Sequence, residues 1–144
     1  MRYFVLGATY VIRLDAGEKV LESLRSLCEQ DKIGAGVFHG LGAVGEAELG
    51  WFDGGARDYQ TLLIREPCEI VSLHGNVSRL EGKPFLHCHA ALADRTFGVH
   101  GGHLREAVVS ATCEIVLTRF FEEFGRRKDE ATGLYLLDLK QDGG

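Results

Sequence analysis

Residues Pro84–Leu104 read PFLHCHAALADRTFGVHGGHL and hold four of the six histidines, His87, His89, His100 and His103. Phe85–Ala93 has strand composition, Asp94-Arg95-Thr96 is a turn signal, and Phe97–His100 reads as a short return strand. Two strands joined by so short a turn run antiparallel, which makes sheet the framework of the fold. His87 and His89 stand two apart, the strand period, so both rings leave one face with Cα atoms ~6.6 Å apart. That separation lets two imidazoles converge on one ion. Zinc takes three or four N, O or S ligands, and the turn folds back a strand that can supply the third. His100 and His103 are both on offer. They differ by three and would face opposite ways on an unbroken strand, but Gly101-Gly102 removes that parity. Cys88, between the first pair, points to the opposite face. A three-histidine site leaves a fourth position for water or substrate. The competing reading makes these rings partly buried imidazoles, hydrogen-bonded at a subunit interface.

Upstream, Tyr3–Leu14 is rich in Val, Ile, Tyr and Phe and reads as a first strand. Asp15 opens D-A-G-E, a capping-box pattern in which Asp15 accepts from the backbone and Glu18 reaches back. Val20, Leu21, Leu24, Leu27 and Cys28 then recur at helical period, predicting a helix that ends near Asp31 or Lys32. Six glycines between Gly34 and Gly50 exclude a second helix there. They predict a strand at Ala35–His39, a bend, and a strand at Glu46–Phe52 on which Ala47, Leu49 and Trp51 share a face. The run lacks G-x-x-x-x-G-K-[ST] and reads as bends and bulges rather than a phosphate loop.

Tyr59–Arg65 and Glu69–Ser78 add two strands. Ala107–Phe121 adds a long one, with Val109, Ala111, Cys113, Ile115 and Leu117 on one face. Glu122–Glu130 reads as a charged loop with Arg126-Arg127-Lys128 as a solvated turn, and Leu134–Leu139 as the last strand. The class is α+β: one main helix packed on a mostly antiparallel sheet of seven or more strands. Residues 1–140 are expected to form a single domain and 141–144 a flexible tail.

With 144 residues, 45% apolar and 26% charged, the chain has a globular composition, neither disordered nor membrane-embedded. A net charge of −5 argues against a broad basic footprint for nucleic acid. Cys28, Cys68, Cys88 and Cys113 form no C-x-x-C pair, which excludes a cysteine zinc finger. No stretch reaches transmembrane length. The expectation is a cytoplasmic protein with reduced, buried cysteines. His39 and His74, each in a strand beside glycine, are further pocket neighbours. So are His100 and Glu114, the latter placed to orient a ligand or act as a general base. Trp51, Phe52, Phe120 and Phe121 read as core or inter-subunit contacts.

Four motifs occur in order: GLGAVGEAELGWFD (Gly40–Asp53), SLHGNVS (Ser72–Ser78), GKPFLHCH (Gly82–His89) and GGHL (Gly101–Leu104). In these the chain resembles the plants-and-prokaryotes conserved (PPC) domain family, described as a predicted DNA-binding protein with a PD1-like motif. The resemblance implies one helix on an antiparallel sheet, assembled as a homotrimer. In plants the domain follows an AT-hook, an R-G-R-P segment that enters the minor groove. No such segment occurs in these residues, so DNA as a partner rests on the family label. H-x-H followed by G-G-H is also similar to the zinc site of acetolactate decarboxylase, and that similarity puts the ligands at His87, His89 and His103. The loop between His89 and Gly101 is a few residues longer here, and the decarboxylase's other active-site residues find no place, so its reaction does not transfer. The expectation is a homotrimer with a zinc site. The alternatives are a DNA-associated regulatory domain, a scaffold acting through assembly alone, and a zinc-dependent lyase- or hydrolase-like enzyme with a small polar ligand.

Overall fold

The computed structural model describes residues 1–139; the expected tail at 141–144 lies outside them. Nine strands and one helix follow in the order β1 (Arg2–Leu6), β2 (Thr9–Asp15), α1 (Val20–Gln30), β3 (Gly36–Asp53), β4 (Asp58–Ile64), β5 (Cys68–Leu80), β6 (Lys83–Ala93), β7 (Val99–Arg119), β8 (Gly125–Lys128) and β9 (Tyr135–Asp138). The fold is α+β, with one helix on a mostly antiparallel nine-stranded sheet, as the sequence predicts.

The sheet closes on itself. β3 pairs with β5, β5 with β6, β6 with the start of β7, and β7 with β3 along both its halves. Strand alternation then sends one set of side chains inward. Phe38, Leu73, Leu92, Leu104 and Ile115 are fully buried in this core. α1 packs on β6 and β7 and buries Val20, Leu21, Leu24, Leu27 and Cys28, the stripe its periodicity predicts. Each fully buried leucine here contributes ~1.5–3 kcal/mol through burial. All four cysteines are free and buried.

Several boundaries differ from the sequence expectation, each for a physical reason. The first strand is a hairpin, because Gly7 (φ +61°) turns the chain and pairs Leu6 with Thr9. The glycine run does not break into two strands. β3 passes through it with bulges at Gly40–Gly42 and Val44–Glu46, which bend the strand while keeping it paired. Trp51 is 63% exposed and does not join buried Ala47 and Leu49 in the core. The return strand and the long strand are one element, β7, and Ala111 on it is exposed while Val109, Cys113, Ile115 and Leu117 are buried. Asp15 does not cap the helix: Lys19 occupies that position without a side-chain cap bond. Glu18 does reach back, accepting from the Asp15 N–H at 2.7 Å. The free helical amides of Leu21 and Glu22 instead donate to the Glu106 carboxylate of β7, at 2.8 and 3.1 Å. A cap supplied across 85 residues leaves no local sequence signature.

Candidate metal centre and adjoining cavity

β6 is paired with β5 along its length and with β7 from His89 onward, so its register and facing are fixed. Leu86, Cys88, Ala90 and Leu92 turn into the core, which sends His87 and His89 out. β7 returns with His103 directly opposite His89. Gly102 lets β7 run close against β3 on its other side, since a Cβ there would sit 2.8 Å from the Gly50 carbonyl oxygen of β3. The three rings converge: centroids are 5.2 Å apart for His87–His89, 5.2 Å for His87–His103 and 5.5 Å for His89–His103. Each offers one nitrogen within 4.8 Å of the other two.

His103 Nδ1 is buried without a hydrogen-bond partner. Burial, then the neighbouring His87 and His89, push the His103 pKa down to about 4. Burial, then Arg126 and His89, push His87 down as well. Both are therefore neutral at pH 7, with lone pairs available. Three imidazole nitrogens so close together form a donor set that can hold a metal ion.

The other named histidines occupy different places. His39, His74, His89 and His103 lie opposite one another in register across β3, β5, β6 and β7. The His39 and His74 rings are 6.3 Å apart, and Ser72 Oγ lies 2.7 Å from His74 Nδ1. They share the triad's row but line no wall of its cavity. His100 faces Asp94 at 3.6 Å. Glu114 stands opposite Arg13 and Leu41, away from the three rings.

His87 and His103 line a cavity of about 430 Å³, together with Tyr59, Asn76, Phe85, Arg105, Arg126 and the segment Gly133–Leu137. Arg105 follows His103 by two and so shares its face; its guanidinium lies 5.0 Å over the Tyr59 ring, which itself lies 5.4 Å from His103. Arg126 corrects the expected solvated turn. The charged loop contains β8, docked on β5 by a parallel bridge between Arg79 and Gly125. That docking brings Arg126 inward, half-buried over the Phe85 ring at 4.5 Å. Its Nε donates to the buried Ser78 hydroxyl at 2.7 Å, Nη1 to the Tyr135 carbonyl at 2.7 Å and Nη2 to Asn76 Oδ1 at 2.8 Å. Burial lowers its pKa from the ordinary arginine value.

Sequence reasoning missed Tyr59, Asn76, Arg105 and Arg126. Parity with His103 points to Arg105, and the β5–β6 register sets Asn76 opposite His87. Nothing local points to Arg126.

Solved structures share this fold. A protein provisionally described as DNA-binding from Bacteroides thetaiotaomicron is 27% identical, with a TM-score of 0.93 over 95% of this chain and 96% of that one. A metal-containing protein from Archaeoglobus fulgidus is 37% identical, with a TM-score of 0.84 over 93% and 95%. Acetolactate decarboxylase from Bacillus subtilis, 13% identical with a TM-score of 0.57 over 84% of this chain and 57% of that one, shares the fold alone. The bifunctional protein GlmU of a Synechococcus strain is 33% identical over 135 residues, which are 92% of this chain; the chain spans only 20% of that protein's length. A family model for the Plants and Prokaryotes Conserved (PCC) domain matches residues 1–121. The chain belongs to the Plants and Prokaryotes Conserved domain family.

Proposed function

We propose that this chain is a homotrimeric domain that holds zinc at His87, His89 and His103 and presents it to a small ligand in the adjoining cavity. The convergence of three imidazole nitrogens within 4.8 Å carries the reading. The orphaned Nδ1 of His103 and the metal-containing relative support it. Zinc bound there supplies Lewis acidity to a ligand in its fourth position. The protein's own groups do the rest: the paired strands fix the rings, Arg105 and Arg126 favour negative charge, and the β8–β9 segment shields one side. An open ligand position facing a cavity is also what a zinc-dependent lyase- or hydrolase-like enzyme needs. Elemental analysis of tag-free protein tests the reading. About one zinc per chain is expected, lost in His87→Ala and His103→Ala; less than about 0.1 per chain in the native protein sinks it.

Self-assembly is supported by the outer sheet face, where Phe4, Val11, Val37, Leu41 and Val71 are exposed. Sedimentation equilibrium should give three chains per particle, and a monomer at tens of micromolar would refute the trimer. DNA binding draws support from the label on the Bacteroides relative. The net charge of −5 and the inward turn of Arg126 oppose it. Duplex titration at ~150 mM salt decides, and no binding at micromolar protein removes DNA from the function. Among the described residues no helix is long and apolar enough to cross a membrane. The buried free cysteines support a reducing, cytoplasmic setting.

A further inference from the structure

The cavity beside the histidines carries charge that its own walls do not balance. Arg126 makes no ion pair with a carboxylate among the described residues, and Arg105 reaches Glu48 only at 3.7 Å. An arginine has five N–H donors. Three of those on Arg126 are spent on Ser78, Tyr135 and Asn76, which leaves two. The spent ones hold the guanidinium plane still, and Phe85 supports it from one side. A fixed fork with spare donors suits a planar carboxylate, and little ordering entropy remains to be lost on binding. A zinc ion at the triad would add further positive charge. Beside Arg126 the wall is apolar, made by Leu134, Leu136 and Leu137, the last paired with Arg126 across the hairpin. A site of about 430 Å³ matches a small molecule.

We propose that this cavity binds a small organic carboxylate, with its head on Arg126 and its short apolar body against the β8–β9 leucines. The proposal rests on the zinc reading only for the added positive charge that a metal at the triad would supply beside the carboxylate head. The hairpin that carries Arg126 and the leucines lies beyond residue 121, where the family model's match ends. Ligand choice is thus assigned to a segment outside that match.

Calorimetric titration with butyrate, butyramide and inorganic phosphate tests this, with zinc content measured on the same samples. Butyrate is expected to bind native protein with a dissociation constant of ~1 mM. Butyramide keeps the apolar body without the charge and should bind at least tenfold more weakly. Phosphate, charged without an apolar body, should do the same. Arg126→Met should weaken butyrate about tenfold with zinc content unchanged, and Arg126→Lys, which keeps the charge and loses the fork, by less. Equal affinity for butyrate and butyramide overturns the proposal, as does phosphate binding as tightly as butyrate; neither comparison needs a variant. Zinc-loaded protein that ignores butyrate removes the carboxylate and leaves the zinc site standing. Zinc-free protein that still prefers butyrate through Arg126 upholds the arginine's role and removes the zinc.

Discussion

Two hairpins meet at the cavity, and their turns are built alike. Between β6 and β7, the Asp94 carboxylate accepts from the Thr96 amide at 2.7 Å and hydroxyl at 2.6 Å. Between β8 and β9, the Asp129 carboxylate accepts from the Thr132 amide at 2.9 Å and hydroxyl at 2.7 Å. Away from the turns they part company. β6 is paired with β5 from Lys83 to Ala93 and with β7 from His89 to Ala93, and its alternate residues are sunk in the core. β8 meets the rest of the sheet at one bridge and through the Arg126 hydrogen bonds, and all four residues of β9 are exposed. The first hairpin can hold three rings to a fixed geometry. The second carries the arginine and the apolar wall on an element with little of its own to bury. The three histidines and the Arg126 wall are therefore placed on parts that differ in pairing and burial.

Hydrogen exchange should show the difference most strongly. Amides of Gly125–Lys128 and Tyr135–Asp138 should exchange at least about a hundredfold faster than those of His87–Leu92, because a shallow element opens without global unfolding. Arg126→Met should widen the gap by removing the hydrogen bonds to Ser78 and Asn76. Equal protection in the two hairpins would break the comparison.

Glycine substitutions sharpen it. A Cβ at Gly102 meets a backbone oxygen of β3 that cannot give way, so Gly102→Ala should cost ~1–3 kcal/mol in a urea titration. Gly125 faces open space, and Gly125→Ala should change stability by no more than ~0.5 kcal/mol. Glu106→Ala falls between them at ~1 kcal/mol, the cost of uncapping the amides of Leu21 and Glu22. Its effect should show in helical circular dichroism near the midpoint and leave metal content alone.

The same contrast explains what could be read from the residues alone. The helix stripe at Val20–Cys28 and the outward pair His87 and His89 follow from period, which each segment carries within itself. Parity left His100 and His103 both on offer; the register that sets His103 opposite His89 comes from the longer connection 94–98, closed by the Asp94 N–H donating to the Gly98 carbonyl at 2.9 Å. Arg126 defeated local reading because its setting comes from Ser78 and Asn76, 48 and 50 residues away. A run of Arg-Arg-Lys among acids looks solvated unless β8 is known to dock. The glycine run failed for a related reason. Whether glycines end a strand or bulge it depends on the partner strand, here β7, which has no trace in the run itself.

The turns themselves give the finest test. In each, hydrogen bonding to the threonine, its hydroxyl first, holds the aspartate pKa below the usual carboxylate value. An aspartate so held takes up a proton more readily in the unfolded chain than in the native one. Its contribution is therefore whole above pH ~4 and is lost as pH falls through the lowered native value. The Asp94 turn lies between strands that open only with the whole sheet, so its titration should count toward global stability. Asp94→Asn should flatten the acid limb of the urea midpoint below pH ~4 and lower Tm at neutral pH by no more than a few degrees. Asp129 has the same local chemistry on the hairpin that opens by itself. Asp129→Asn should leave the global midpoint unchanged at every pH and speed amide exchange only in Gly125–Asp138. If both substitutions reshape the global acid limb equally, the second hairpin unfolds with the core, and the assignment of unequal stability to the two sides of the cavity fails.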